Sequence, residues 1–246
     1  MKRAIKKLGH YHRFTSRVNP LKQFEVKPLT LADCENVTDL VTEILCTSEP
    51  LEVYMGGKPG IMKPINEFLV KRSIEDDLGV ICVDPDTSEI ASALIVYDNY
   101  KSDIPSHLLG NKHCGVIVDF MYECYNDELI QQLSQKRLHC LDIITAATNK
   151  KYQKMGLSDH LITWATHEHP RIKQADALIA ACTHPAAYKI LMKNGWQVRK
   201  KAKVSEYTNS KGEKPFKDFA AVAEQKLGIT GYDEVNLMAY IRNPGN

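Results

Sequence analysis

Residues 152–158, Tyr-Gln-Lys-Met-Gly-Leu-Ser, divide an apolar stretch from an amphipathic one. Upstream, residues 138–147 are apolar enough for a buried strand. Downstream, Leu157, Leu161, Trp164 and Ala165 recur at helical spacing. Gln153-x-x-Gly156-x-Ser158 suits a sharp strand-to-helix turn whose backbone amides stay free. The first N–H groups of a helix lack internal partners, and the helix dipole is positive at that end. An anionic group such as a pyrophosphate is therefore a natural guest at this turn.

The rest of the chain sets bounds on that reading. Its 246 residues suit one large domain or two small ones, and an apolar fraction of 43% supports a real core. A net charge of +2 makes no general case for nucleic-acid binding, and no apolar run approaches a membrane span. The seven cysteines include no Cys-x-x-Cys pair, and Cys82, Cys140 and Cys182 lie in apolar runs. They read as reduced core residues of an intracellular protein, the cytoplasm being favoured. Residues 1–23 differ from the remainder: Lys2, Arg3, Lys6, Lys7, Arg13, Arg17 and Lys22 stand there with no acid. Such a segment suits a mitochondrial transit sequence, a basic arm that docks on an acidic partner, or a solvated tail. With little apolar surface to bury, it is expected to be dispensable for folding.

Residues 24–29 predict a short strand. Thr30-x-x-Asp33 then has the form of a helix capping pair. Val37, Leu40, Val41, Ile44 and Leu45 give the helix that follows an apolar face. Pro64 is expected to open a second helix, with Ile65, Phe68 and Leu69 inward. Residues 80–83 and 90–97 read as strands joined by the turn chemistry of Asp84-Pro85-Asp86-Thr87. Asn126 precedes a helix carrying Leu129 and Leu133. Residues 177–183 predict a strand, 184–194 a helix closed by Gly195, and 235–241 a last strand.

The turn at 152–158 resembles the cofactor loop of the GNAT superfamily of acyl-CoA N-acyltransferases: Gln or Arg, two residues, Gly, one residue, then Gly or Ala. The segment YKILMKNGW at 188–196 is similar to that family's A-x-x-x-Y/M-x-K-x-G-F ending. The predicted element order matches from residue 24 to the end, which implies a basic extension at 1–23 and a GNAT-like domain at 24–246. The fold implied is α/β (α+β): a mixed, twisted sheet of about seven strands, splayed near the cofactor loop, with helices on both faces.

Three stretches resemble one branch, the arylalkylamine (dopamine-like) N-acetyltransferases. TSEPLEVYMG at 47–56 is similar to its D-E-P-L-N segment. GVICVDPDTSEIASALIV at 79–96 and EYTNSKGEKPFKDFA at 206–220 match its hairpin and its penultimate segment. The resemblance implies acetyl-CoA as co-substrate and a small amine as acceptor. It implies Glu49 as general base and Thr183 as the first of two hydroxyls around the start of the helix after the fifth strand. The amides of Lys154, Met155, Gly156, Leu157 and Ser158, with Gln153, would hold the pyrophosphate, while Lys150, Lys151 and Lys154 add cations. A backbone N–H near Ala147 or Thr148 would polarise the thioester oxygen. Transfer would be direct, without a covalent enzyme intermediate.

The chain departs from this pattern at Ala187, where related enzymes carry a second hydroxyl. It departs also at Lys154, which replaces a frequent glycine, and at Ser158. These departures leave a second reading: a GNAT-fold subunit that no longer catalyses, held in a larger and possibly mitochondrial assembly by its basic arm. His167-Glu168-His169 and His113-Cys114 lack the spacing of a zinc set, so no metal is expected.

Overall fold

In the computed structural model, the residues described are 12–98, 104–109, 112–126, 128–135 and 138–242. The chain opens with β1 (His12–Thr15) and β2 (Gln23–Pro28), followed by α1 (Cys34–Ser48), α2 (Pro50–Met55) and α3 (Pro59–Glu75). A hairpin, β3 (Val80–Val83) and β4 (Ile90–Asp98), leads to α4 (Ser106–Leu109), α5 (Lys112–Tyr125) and α6 (Glu128–Gln135). Then come β5 (Cys140–Thr148), α7 (Leu157–His167), β6 (Ala177–Cys182) and α8 (Pro185–Lys193). The chain finishes with β7 (Gln197–Lys203), α9 (Phe219–Leu227) and β8 (Glu234–Ile241).

The strands form one sheet in the order β1-β2-β3-β4-β5-β6-β8-β7. Every neighbouring pair is antiparallel except β5 and β6. The crossover through α7 makes that pair parallel, as a helical connection on one face requires. Its pairing is brief. Only Cys140, Leu141 and Asp142 meet Ala177, Leu178 and Ile179, after which β5 pairs with β4 alone. The two central strands therefore part beyond Asp142, as the expected splay requires.

Both faces of the sheet are covered. Under α7 and α8 lie Leu94, Val96, Leu141, Leu161 and Trp164; under α1 and α3 lie Val37, Val41, Val70, Ile81 and Ile95. A separate aromatic cluster of Phe120, Tyr207, Phe216 and Phe219 joins α5 to α9 and to the loop between β7 and α9. Cys82, Cys140 and Cys182 are free and buried, as read from their apolar runs. No helix among the described residues is long and apolar enough to cross a membrane.

Three expectations change. The second helix does not open at Pro64: α3 begins at Pro59, and Pro64 lies inside it. Proline costs nothing at the first helical position, whereas Pro64 leaves one carbonyl of the helix without its N–H partner. β1 and β7 have no counterpart in the predicted order. In β7, the exposed Gln197, Arg199, Lys201 and Lys203 alternate with half-buried residues, one of them Lys200, so its apolar signal is weak. β1 lies inside the stretch read as a basic extension, yet it pairs along β2 with Phe14 opposite Phe24. The ordered sheet thus starts before residue 24, because one aromatic side chain anchors an otherwise polar strand.

Candidate active site

Glu49 stands at a break between two helices that the sequence itself dictates. The residue before a proline is pushed out of the helical region. Glu49 accordingly ends α1 in an extended conformation (φ −83°, ψ 124°), and Pro50 opens α2. Its carboxylate caps the new helix: the Glu52 N–H donates to Oε2 at 2.6 Å. That bond fixes the side chain and leaves Oε1 buried with no well-formed hydrogen bond. Burial pushes the carboxyl up to about 7; the nearby Thr183 hydroxyl and the Glu52 amide oppose the rise, and the Glu52 charge adds to it. A carboxyl held near neutrality is half ionised at pH 7 and can both take and release a proton.

The half-buried Glu49 faces a cavity of about 460 Å³, within the usual range for small-molecule sites. Leu45, Leu69, Ile117, Met121 and Ile144 supply apolar wall, and Thr183, just past β6, lies on the same wall as Glu49. The structure thus brings together the two side chains expected to be catalytic. Ala187 and Tyr188 do not line this cavity; both pack against the core under α8. The second hydroxyl is absent, and no neighbouring side chain on α8 replaces it. His184 caps α8, its Nδ1 accepting from the Ala186 N–H at 3.0 Å. Tyr232 lies close to this corner, and its hydroxyl donates to the Cys182 carbonyl at 3.2 Å. Nothing in its sequence context marks it.

The turn after β5 has the expected shape. Gly156 sits at φ +81° and Lys154 at φ +65°. The left-handed region suits glycine and strains other residues, so Lys154 occupies a place where the related loops carry glycine at no cost. Within the described residues, the N–H groups of Lys154, Gly156, Leu157 and Ser158 donate to no backbone acceptor, and no side chain caps α7. The side chains of the turn serve other ends. Leu157 is buried and Met155 packs against the main core, whereas Gln153 and Lys154 are exposed. Ser158 Oγ meets Thr148 Oγ1 at 2.7 Å, and Thr148 in turn meets Ser92 at 2.9 Å, so this hydroxyl chain ties α7 to β5 and β4. The Ala147 carbonyl accepts from Ser92 at 2.9 Å. Lys150 and Lys151 pair with Glu43 and Glu89.

One residue of the turn's surroundings was not read as part of any site. Arg17 lies against Gly156: its Cδ is 2.9 Å from where a Cβ on that glycine would stand. Its guanidinium pairs with Asp159 in the first turn of α7, and Lys193 reaches the same carboxylate at 2.8 Å. Burial would raise the Asp159 carboxyl, but the Lys193 and Arg17 contacts hold it below its ordinary value. Two cations share one carboxylate here, which leaves a net positive charge beside the free amides. His167 and His169 do not converge. His167 meets the Tyr240 ring edge-on, and His169 Nδ1 accepts from Arg171 and Ile172 at 3.2 Å each.

No protein-family model and no curated protein matches the chain. Solved structures do. The mosquito arylalkylamine N-acetyltransferase-like protein 5b aligns with a TM-score of 0.71 at 14% identity, over 89% of this chain and 100% of its own. The chain has the GNAT fold. The C-terminal condensation domain of Ebony, solved with β-alanyl-dopamine, aligns at a TM-score of 0.70 and 16% identity, over 90% of this chain and 100% of its own. The Drosophila melanogaster polyamine N-acetyltransferase, which forms N-acetylagmatine, gives 0.65 at 12% identity, over 89% and 100%. At such identities the likeness is one of fold, and the chemistry rests on this chain's own residues.

Proposed function

We propose that this protein is an acetyl-CoA-dependent N-acetyltransferase acting on a small amine, with Glu49 as general base. The observation that carries the proposal is the Glu49 carboxyl, raised to about 7 and with Oε1 unpartnered, at the wall of a 460 Å³ cavity. The free amides of Lys154, Gly156, Leu157 and Ser158, with Arg17 beside them, support a pyrophosphate site. The fold neighbours support the same class, since several are N-acetyltransferases of amines.

Most amines reach the protein as ammonium. Glu49 takes one proton, directly or through a water on Oε1. The neutral nitrogen attacks the thioester carbonyl, the N–C bond forms, and the C–S bond breaks. A second proton leaves the nitrogen, and the departing thiolate ends as a thiol. A backbone N–H near Ala147 or Thr148, where β5 parts from β6, would serve the developing oxyanion. A non-catalytic subunit would have no need of a raised carboxyl at a cavity wall, so the site favours the enzyme. The test is thiol release from acetyl-CoA over a panel of amines. Release above the uncatalysed rate with at least one amine is the expected result, and none with any amine overturns the reading.

A further inference from the structure

The cavity holds more carboxyl groups than the proposed reaction uses. Asp142 lines it and is 2% exposed. Glu49 and Glu52 line it too, and among the described residues no Lys, Arg or His does. The described contact of Asp142 is a neutral one: the Tyr125 hydroxyl donates to Oδ1 at 3.1 Å. A buried carboxylate that meets only neutral donors is costly, and the cost falls when a cation pairs with it.

Its position is as informative as its charge. Asp142 stands in register with Tyr97 on β4 and with Ile179 on β6. Thr183 lies four residues beyond Ile179 on the same alternating face of the chain. A strand rises about 3.3 Å per residue, so roughly 13 Å of wall separates the Asp142 level from the Thr183 level. Side chains reach inward at both levels, and the charges of a bound ligand would stand closer together than that. Between them the wall is largely apolar, with Tyr97, Tyr122 and Tyr125 among the lining residues. Aromatic faces suit a cation, and apolar wall suits a methylene chain.

We propose that Asp142 anchors a second cationic group on the acceptor, so that the cavity selects a flexible diamine or guanidinoalkylamine over a monoamine. This rests on the acetyltransferase reading of the same cavity. The reactive nitrogen gives up its charge to Glu49 before attack, whereas the distal cation stays charged throughout and pairs with Asp142. A phenolic monoamine would bring only another neutral donor to a carboxylate that already has the Tyr125 hydroxyl.

The experiment compares kcat/KM for putrescine and agmatine with that for n-butylamine and phenylethylamine, in the wild type and in Asp142→Asn. Truncating one partner of a buried charge pair weakens it by at least about 30-fold. The wild type should prefer putrescine to butylamine, and Asp142→Asn should lower that ratio by about 30-fold or more. A merely structural role would lower both substrates together and leave the ratio intact, which overturns the inference. So does a wild type that releases thiol with monoamines and shows no preference for the dications; in that case acetyl transfer itself still stands. No thiol release with any amine overturns both readings. Should Asp142→Asn fail to fold, the wild-type ratio decides alone, and a value near one overturns the proposal.

Discussion

Arg17 lies across Gly156, with Cδ 2.9 Å and Cγ 3.3 Å from the position a Cβ would take. A residue from the basic N-terminal stretch thus roofs the turn that the sequence marks as an anion site. Gly156→Asp should abolish acetyl-CoA binding. The substitution forces a side chain into a backbone at φ +81°, displaces Arg17, and sets a negative charge beside the free amides. The left-handed conformation alone costs a non-glycine residue about 1–2 kcal/mol. Arg17→Ala should weaken binding with little change in the thermal midpoint, because its guanidinium is half-exposed and Lys193 keeps the buried Asp159 carboxylate paired. Calorimetric titration with acetyl-CoA checks both; affinity equal to wild type in either variant removes that residue from the site.

Glu49→Gln should retain acetyl-CoA affinity and lose about 10²–10⁴-fold in turnover, the usual contribution of a positioned base. The carboxyl stands at about 7. Base catalysis needs the ionised form, so wild-type kcat/KM should climb as pH rises through that value. The deficit of Glu49→Gln should narrow at high pH, where the amine arrives neutral. A pH–rate profile of both proteins decides; parallel profiles would take Glu49 out of the proton transfer.

What the sequence discloses of this site follows from how local each signal is. The break at Glu49 is local, since Pro50 forces it, and so is the turn at Gly156, where glycine meets a positive φ. The Asp142 role depends on register. In the sequence it is one polar residue in an apolar run, and only the pairing with Tyr97 and Ile179 shows which wall it joins. Arg17 depends on a contact with α7, far along the chain, and its own neighbourhood reads as a charged tail. β7 escapes for a third reason: its edge is studded with lysines, which protect a sheet edge and hide the strand.

Residues 12–22 should matter for folding, contrary to what their charge suggests. Phe14 pairs opposite Phe24 and stacks on His160 at a centroid distance of 3.6 Å. Lys22 reaches Asp84 at 2.6 Å and Asp86 at 2.7 Å. Phe14 is only half-buried, so Phe14→Ala should cost less than the 3–5 kcal/mol of a full core truncation, on the order of 2 kcal/mol. Deleting residues 1–22 should cost more, because it also exposes the edge of β2. A thermal midpoint for the deletion equal to wild type would return this segment to the status of a tail.

Asp142 should make stability fall with pH in a window set by its own titration. Burial raises its carboxyl to about 7, against an ordinary value of 3.8, and the Tyr125 hydroxyl opposes the rise only in part. Between those values the folded protein holds a proton that the unfolded chain has released. Stability from this group is therefore fully present below about pH 4, is lost as pH climbs to about 7, and stays lost above. Three pKa units correspond to about 4 kcal/mol, an upper figure once local relaxation and water entry are allowed. Asparagine has the shape of the neutral acid and can still accept from Tyr125. Asp142→Asn should therefore match the wild-type thermal midpoint near pH 3.5 and exceed it at pH 8 by several degrees, at about 2–4 °C per kcal/mol for a chain of this size. Glu49, raised for the same reason, should behave likewise on substitution by Gln, though less cleanly because its carboxylate also caps α2. The measurement is a pair of melting curves for each protein at the two pH values. A pH-independent difference between Asp142→Asn and wild type would mean that Asp142 is not the buried, proton-holding carboxyl that its place in the cavity implies.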